Sequence, residues 1–477
     1  MRTSNMSQLR NDFLEFAKLN LDETLNDFNN VRENLRKINP YPQRGQLQFL
    51  VVPKIFPSDA LSVLQHAAHI ITGIFNKVID RYLEDPSYRK HFKFPKILEK
   101  LILTDPGYEQ KVPIARVDLF FNEDDYTYKF CEFNTDGASA MNEDKTLVES
   151  WISTSLWKKF ATDKTLRSCE LFNTWVNEFL TIFYNFKLRK ITQKNSSYFV
   201  EISPGNFAIV DFEGKGTMPE FVAFLKKFRD GPTGKCDIID IENFKFDGKH
   251  LRAPDDTIID AIYRRAVTSD CIENIDKIKN FIDAVLAQKV CLIGSFRTQI
   301  VHNKNIFRIL HLKETQSFLN EEEVEFVKDH IPKTFEFDYG KFDYQDVFKN
   351  KDKWIIKPAD KYGSFDVVCG AALTQSEWES AFFKRMDKGY LVQEYCTPYK
   401  AENFYFDSNN QPVFENYNNL TGLFLYNGKL AGLYSRQMTA PATTKQEEGR
   451  VAPSLVALDY GDLFPDELYR YPCYNKI

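Results

Sequence analysis

Two short segments carry polar side chains at a spacing that suits chemistry: Ala115-Arg116-Val117-Asp118 and Phe130-Cys131-Glu132-Phe133-Asn134. In a strand, side chains two apart share a face, so Arg116 points with Asp118, and Glu132 with Asn134. Alternation through 112–134 around the polar turn Asn122-Glu-Asp-Asp125 predicts a β-hairpin. A register that pairs Arg116 with Asn134 also sets Asp118 opposite Glu132. It calls for an odd number of loop residues, because a two-residue turn would send the pairs to opposite faces. Two carboxylates and an amide oxygen suit magnesium, which takes hard oxygen ligands and fills its shell with phosphates and water. The adjacent guanidinium can neutralise a phosphoryl group in transfer. A salt-bridged, solvated hairpin face accounts for the same four residues.

A second group lies far along the chain. The apolar run Trp354-Ile-Ile ends in Lys357-Pro358, followed by a loop with Gly363 and Ser364 and a second apolar run. Backbone N–H groups of such a loop can cradle phosphates while the lysine supplies a point charge; an ordinary hairpin with a surface lysine reads the same way. Tyr390-Leu-Val-Gln393-Glu394-Tyr395 is a short apolar strand with a polar end. Its backbone could pair with adenine, although on local grounds a plain core strand is the favoured reading.

Taken together, these segments resemble the ATP-grasp superfamily, whose landmarks are an Arg-x-Asp … Glu-x-Asn hairpin, a strand-end Lys-Pro with a small-residue loop, and a Gln-Glu hinge strand. Here the hairpin precedes the lysine and the hinge. That order is similar to the circularly permuted branch typified by the synthetase domain of glutathionylspermidine synthase. Asp260-Ala-Ile-Tyr263-Arg264-Arg265, Ile300-Val-His-Asn303-Lys304 (a helix-borne lysine) and Gly428-Lys-Leu-Ala-Gly-Leu-Tyr434-Ser-Arg436 fit the same branch. The resemblance spans roughly residues 100–440.

It implies a mixed α/β (α+β), circularly permuted ATP-grasp fold with a Rossmann-like pre-ATP-grasp subdomain, and ATP lying between two subdomains. Carried over by position, it implies Asp118, Glu132 and Asn134 as Mg²⁺ ligands and Arg116 on the γ-phosphate. Lys304 and Lys357 would hold the phosphates beneath Gly363 and Ser364, Gln393, Glu394 and Tyr395 would line the adenine, and Arg436 would face the transferred group. The implied activity is an ATP-dependent carboxylate–amine ligase working through an acyl phosphate, its partners a small-molecule or peptide carboxylate and an amine. Relatives often have two adjacent glycines where this loop reads Tyr362-Gly363-Ser364-Phe365, and the amidase half of the bifunctional relative has no counterpart. A catalytically degenerate nucleotide- or peptide-binding protein is the alternative class.

Outside these segments, residues 9–35 and 58–83 have helical spacing and read as packing scaffold, and helices follow from Glu143 to about Phe186. Phe207–Asp211, Met218–Arg229 and Cys236–Asp240 read as strand, helix and strand, a βαβ unit with a parallel sheet. Strands with turns at Asp407–Asn410 and Asn427-Gly428 fill the last third. The expected division is a helical region (1–100), a hairpin-bearing ATP-grasp part (101–200), a Rossmann-like substrate subdomain (201–295) and an ATP-grasp part with lysine, loop and hinge (296–477). Residues 361–366 and 439–450 are the lid candidates. His302 and His311 read as structural or exposed residues within a helix. Asp211–Gly216 reads as a substrate loop or an ordinary βα turn. Arg264 and Arg265 read as an interdomain salt bridge in preference to a grip on an acidic substrate.

With 477 residues, 43% of them hydrophobic, the chain can bury two or three packed subdomains without disulfides. A net charge of -5 argues against a nucleic-acid partner gripped over many phosphates. Eight scattered cysteines without a CxxC pair read as reduced thiols, the first residues lack the apolar run of a signal peptide, and no uncharged stretch approaches the roughly 20 apolar residues of a membrane span. A cytoplasmic protein is expected, with no membrane partner and with its oligomeric state left open.

Overall fold

The computed structural model describes residues 5–38, 46–192, 204–231, 233–361, 365–440, 449–457 and 474–476. Its architecture is mixed α/β with several sheets.

The long helix Ser58–Glu84 starts after Pro57 and ends at Asp85-Pro86, and its inward stripe of Leu64, Ala68, Ile71, Phe75, Val78 and Tyr82 is buried. The N-terminal helical stretch forms as two helices, Asn5–Leu19 and Leu21–Ile38. The break falls at Asn20, whose side-chain amide donates to the Phe16 carbonyl at 2.8 Å, the local competition that disfavours asparagine within helices. The stretch from 143 to 186 likewise divides: helices Met141–Ile152, Ser155–Phe160 and Phe172–Thr192 are interrupted by the strand Leu166–Cys169. That strand exists because it pairs with Ser454–Ala457 on one side and Tyr474–Lys476 on the other, partners that local periodicity does not announce.

Phe207–Asp211, Met218–Asp230 and Cys236–Asp240 form the βαβ unit, in a four-stranded parallel sheet ordered Cys291–Ile293, Ala261–Arg264, Phe207–Asp211, Cys236–Asp240. An antiparallel sheet brings distant segments together: Arg450–Ala452, Lys429–Met438, Pro412–Tyr426, Ile114–Phe121 and Tyr128–Asn134 lie side by side, with Lys400–Phe406 also on Pro412–Tyr426. The turn between Pro412–Tyr426 and Lys429–Met438 is Asn427-Gly428, both at positive φ (48° and 80°), the geometry Asn-Gly supplies to tight hairpins. A smaller antiparallel sheet, ordered Thr334–Glu336, Tyr390–Glu394, Trp354–Pro358, Val368–Cys369, has its own core of Phe337, Val347, Trp354, Ile356, Trp378, Phe382 and Val392. Among the described residues no helix is long and apolar enough to cross a membrane.

One buried carboxyl in this scaffold sets a pH dependence. Burial pushes Asp144, on the helix Met141–Ile152, up to about 8, opposed by Ser454 and reinforced by Glu143. The folded chain then keeps a proton that the unfolded chain gives up near pH 4, so this residue makes stability fall as pH rises between about 4 and 8, by about 1.4 kcal/mol per unit. Asp144→Asn is expected to flatten that slope and to raise stability relative to wild type at pH 8. Denaturant titrations of both proteins at pH 5 and pH 8 check it; equal slopes would show that Asp144 ionises normally.

Candidate active site

The hairpin pairs Arg116 with Asn134 and Asp118 with Glu132. The parity arises differently from the expectation, however. The strands end at Phe121 and Tyr128, which leaves the even-numbered loop 122–127, and the register shifts after Asp118 so that Leu119 pairs with Phe130. Cys131 is therefore a bulged residue, and the bulge rather than the loop aligns the four polar side chains.

Those side chains form two linked groups. Arg116 grips Asp118 bidentately (Nε to Oδ1 2.8 Å, Nη2 to Oδ2 2.9 Å) and donates from Nη1 to the Ser139 carbonyl at 2.7 Å. Burial opposes the guanidinium charge, but Asp118 outweighs it, so Arg116 stays protonated. Asn134 Nδ2 donates to Asp118 Oδ2 at 3.0 Å. Gly422 is the strand residue opposite Asp118; a Cβ there would lie 2.9 Å from Asp118 Oδ1 and 3.0 Å from Arg116 Cδ. The missing side chain gives the pair its floor.

Glu132 pairs with Lys304 at 2.7 Å. Burial raises its carboxyl, yet Lys304, helped by Lys357 and His302, brings it down to about 2. Lys304 occupies the turn between the short helices Gln299–His302 and Ile306–Ile309, not a helix as expected, because Asn303 leaves the helical conformation. Its ammonium also donates to the Lys361 carbonyl at 2.6 Å, and its backbone N–H to the Ala359 carbonyl at 2.9 Å, tying it to the chain just beyond Lys357-Pro358.

Lys357 is buried. Its ammonium donates to Gln393 Oε1 at 2.7 Å and lies 3.5 Å from the carbonyl of the bulged Cys131. Gln393 is held in turn by Nε2 donation to Thr334 Oγ1 at 2.8 Å. Glu394 Oε2 accepts from the Lys333 N–H at 3.0 Å, and the Tyr395 N–H donates to the Lys353 carbonyl at 2.7 Å. The hairpin, Lys304, Lys357 and the start of Gln393–Tyr395 thus meet at one place.

Arg436 stands on Lys429–Met438, separated from the hairpin by the strand Pro412–Tyr426 and opposite its Leu420, and its charge is felt at Asp118. A Cβ on Gly449 would fall 2.2 Å from Arg436 Nε, so the chain after the polar run passes directly over this guanidinium. Gly363 and Ser364 lie outside the described residues, as do 441–448 of that run.

Among the neighbours, Gln299 was not singled out in the sequence, and Tyr434 was noted only within the segment that ends in Arg436. Tyr434 donates its hydroxyl to Glu143 Oε2 at 3.0 Å, and Arg116 lies over its ring at 5.2 Å. Two-residue spacing from Arg436 was the available signal. Gln299 donates to both oxygens of Asp360 at 3.0 Å, steadying the segment that holds Lys304. His302 Nδ1 is 3.1 Å from the Phe133 carbonyl; His311 sits in a turn with Nε2 3.1 Å from the Ile331 carbonyl. Arg264 and Arg265 are buried in ion pairs with Asp136 and Glu220, so neither guanidinium is open to solvent.

No family model and no curated protein sequence matches the chain. Among solved structures it is similar to the apo form of a glutathione synthetase-like effector from Globodera pallida, with a TM-score of 0.59 at 11% identity, over 93% of this chain and 97% of that chain. The fold is glutathione synthetase-like. At that identity the likeness concerns the fold alone.

The donor set also bears on a metal. Among the described residues no cluster of three His, Cys, Asp or Glu side chains is placed to hold one. Glu132 and the Asn134 amide, whose Nδ2 is committed to Asp118 so that Oδ1 is left for a cation, make a sparse hard-oxygen site. That suits magnesium, which draws most of its shell from phosphates and water.

Proposed function

We propose that the chain is an ATP-dependent carboxylate–amine ligase of the circularly permuted ATP-grasp type. The observation that carries this reading is the position of the Lys357 ammonium, 2.7 Å from Gln393 and 3.5 Å from the Cys131 carbonyl. One buried cation spans the hairpin and the hinge strand, which the two halves of a single triphosphate site require. In this reading the hairpin-bearing, Rossmann-like, and lysine, loop and hinge regions keep the division expected from the sequence. ATP use and scattered thiols fit a cytoplasmic setting.

Lys304 and Lys357 hold the phosphates, Glu132 and Asn134 hold magnesium with Asp118 behind them, and Gln393 to Tyr395 line the adenine. Magnesium, when bound, offsets phosphate charge and orients the triphosphate. Arg116 and Arg436 stabilise the γ-phosphoryl group as it passes to the substrate carboxylate, giving an acyl phosphate and ADP. An amine then attacks the acyl carbon, the C–N bond forms, and phosphate leaves. Residues 361–366 and the 439–450 run are the segments proposed to exclude water from the acyl phosphate.

A screen of carboxylate–amine pairs, reading ADP release and product mass together, tests the reading. Amine-dependent ADP release with an amide product is expected. One observation favours a degenerate nucleotide binder: Arg116 and Asn134 already engage both oxygens of Asp118, so Glu132 alone supplies metal-facing charge. That alternative gives nucleotide binding without amine-dependent ADP release across the screen.

The metal assignment makes a narrower prediction. Glu132→Gln keeps the side chain's shape but loses the charge facing magnesium, so magnesium-dependent turnover is expected to vanish while the circular dichroism spectrum is kept. Wild-type turnover by this variant at low magnesium would show that Glu132 is not a ligand.

A further inference from the structure

The two lysines at the site are held by different kinds of partner. Lys357 meets neutral oxygens, those of Gln393 and Cys131, whereas Lys304 is committed to a carboxylate, Glu132, at 2.7 Å. Asp118 is likewise neutralised, by Arg116. Arg116, Lys304 and Lys357 therefore stand beside two carboxylates, with the charge of Arg436 also reaching Asp118. A free divalent cation approaching Glu132 would have to displace an ammonium from a short ion pair and then sit beside it, with like charges only a few ångströms apart.

We propose that Lys304 is a built-in stand-in for the metal: it neutralises Glu132 until a nucleotide triphosphate arrives, then moves to the phosphates and frees the carboxylate, so that the divalent cation enters only together with nucleotide. This rests on the reading of the site as a magnesium–ATP site and adds an order of binding to it. The anchoring suits the movement. Lys304 is fixed through its backbone N–H to Ala359, and its ammonium already reaches the Lys361 carbonyl at the mouth of the loop assigned to phosphates. Transfer between Glu132 and a phosphate is then a change of side-chain rotamer with the backbone held in place. The device makes metal and triphosphate affinities mutually dependent. It also keeps Glu132 paired before nucleotide binds, since a partly buried carboxylate without a counter-ion would be costly.

The test is Mn²⁺ binding by electron paramagnetic resonance to the full chain, with and without a non-hydrolysable ATP analogue. Wild type, Lys304→Gln and the double variant Lys304→Gln/Glu132→Gln are compared, their folding checked by circular dichroism. Without nucleotide, Lys304→Gln is expected to bind Mn²⁺ about tenfold or more tighter than wild type, and the double variant to lose the gain. With the analogue, wild type is expected to bind Mn²⁺ and the advantage of the variant to disappear. Equal Mn²⁺ affinities of Lys304→Gln and wild type without nucleotide would overturn the stand-in role. If the analogue nevertheless brought Mn²⁺ to both proteins, the magnesium–ATP reading would survive that result. Absence of Mn²⁺ binding in every protein, analogue included, would overturn both. Should glutamine in this turn unfold the chain, Lys304→Met makes the same comparison.

Discussion

Lys357→Met is expected to lower amine-dependent ADP release by about a hundredfold or more, the usual scale for removing one preorganised charge from a transferring group. Methionine keeps the length and apolar stem of lysine, and the strand Trp354–Pro358 is paired along its whole length with Tyr390–Glu394, so the backbone has little reason to move. Removing the ammonium acts in two ways. Gln393 Oε1, buried against it in the wild type, is left without its donor, at a cost of about 1–3 kcal/mol. The cation that links the hairpin to the hinge strand also disappears, so ATP affinity and turnover should fall together. Steady-state kinetics with a denaturant titration check this. A variant with normal stability and normal turnover would place the phosphates elsewhere.

The other large effect concerns stability. Asp136 follows the hairpin by two residues and sits with Arg264 in an ion pair whose side chains are each 1% exposed. Arg264 also donates to the Gly294 carbonyl at 2.5 Å and the Ala266 carbonyl at 2.6 Å, while the Thr268 N–H donates to Asp136 at 2.6 Å. This network fastens the hairpin end to the parallel sheet. Arg264→Met leaves a buried carboxylate with only neutral donors and is expected to destabilise the fold by about 3–5 kcal/mol. Adding Asp136→Asn should restore much of that loss, because the uncompensated charge is then gone. Denaturant midpoints of wild type, Arg264→Met, Asp136→Asn and the double variant decide it: additive losses, with no recovery in the double variant, would mean the pair is not coupled as described.

Much of the site was legible because it rests on local rules. Two-residue spacing was enough to align Arg116 with Asp118 and Glu132 with Asn134, and the register followed from the need to keep all four on one face. The bulge was not legible. Cys131 has no side-chain feature that marks it, and the same parity would have followed from an odd loop. The βαβ unit was visible from its apolar runs, whereas Leu166–Cys169 becomes a strand through pairing with residues 454–457 and 474–476. Lys304 was expected on a helix from the family resemblance, but Asn303 opens a turn that points the ammonium at Glu132. Arg264 and Arg265 were recognised as salt-bridge candidates, yet their partners Asp136 and Glu220 stand far off in sequence and only the fold names them.

The central claim is that the hairpin and the Lys357 strand form the two walls of one magnesium–ATP cleft. A crystal structure of the full chain with magnesium and a non-hydrolysable ATP analogue tests it most directly. The triphosphate is expected between Lys304 and Lys357 on one side and Glu132 and Asn134 on the other, with the metal on Glu132 and the adenine against Gln393 to Tyr395. Nucleotide bound elsewhere, with Lys304 still on Glu132 and the hairpin's polar face unengaged, would contradict it.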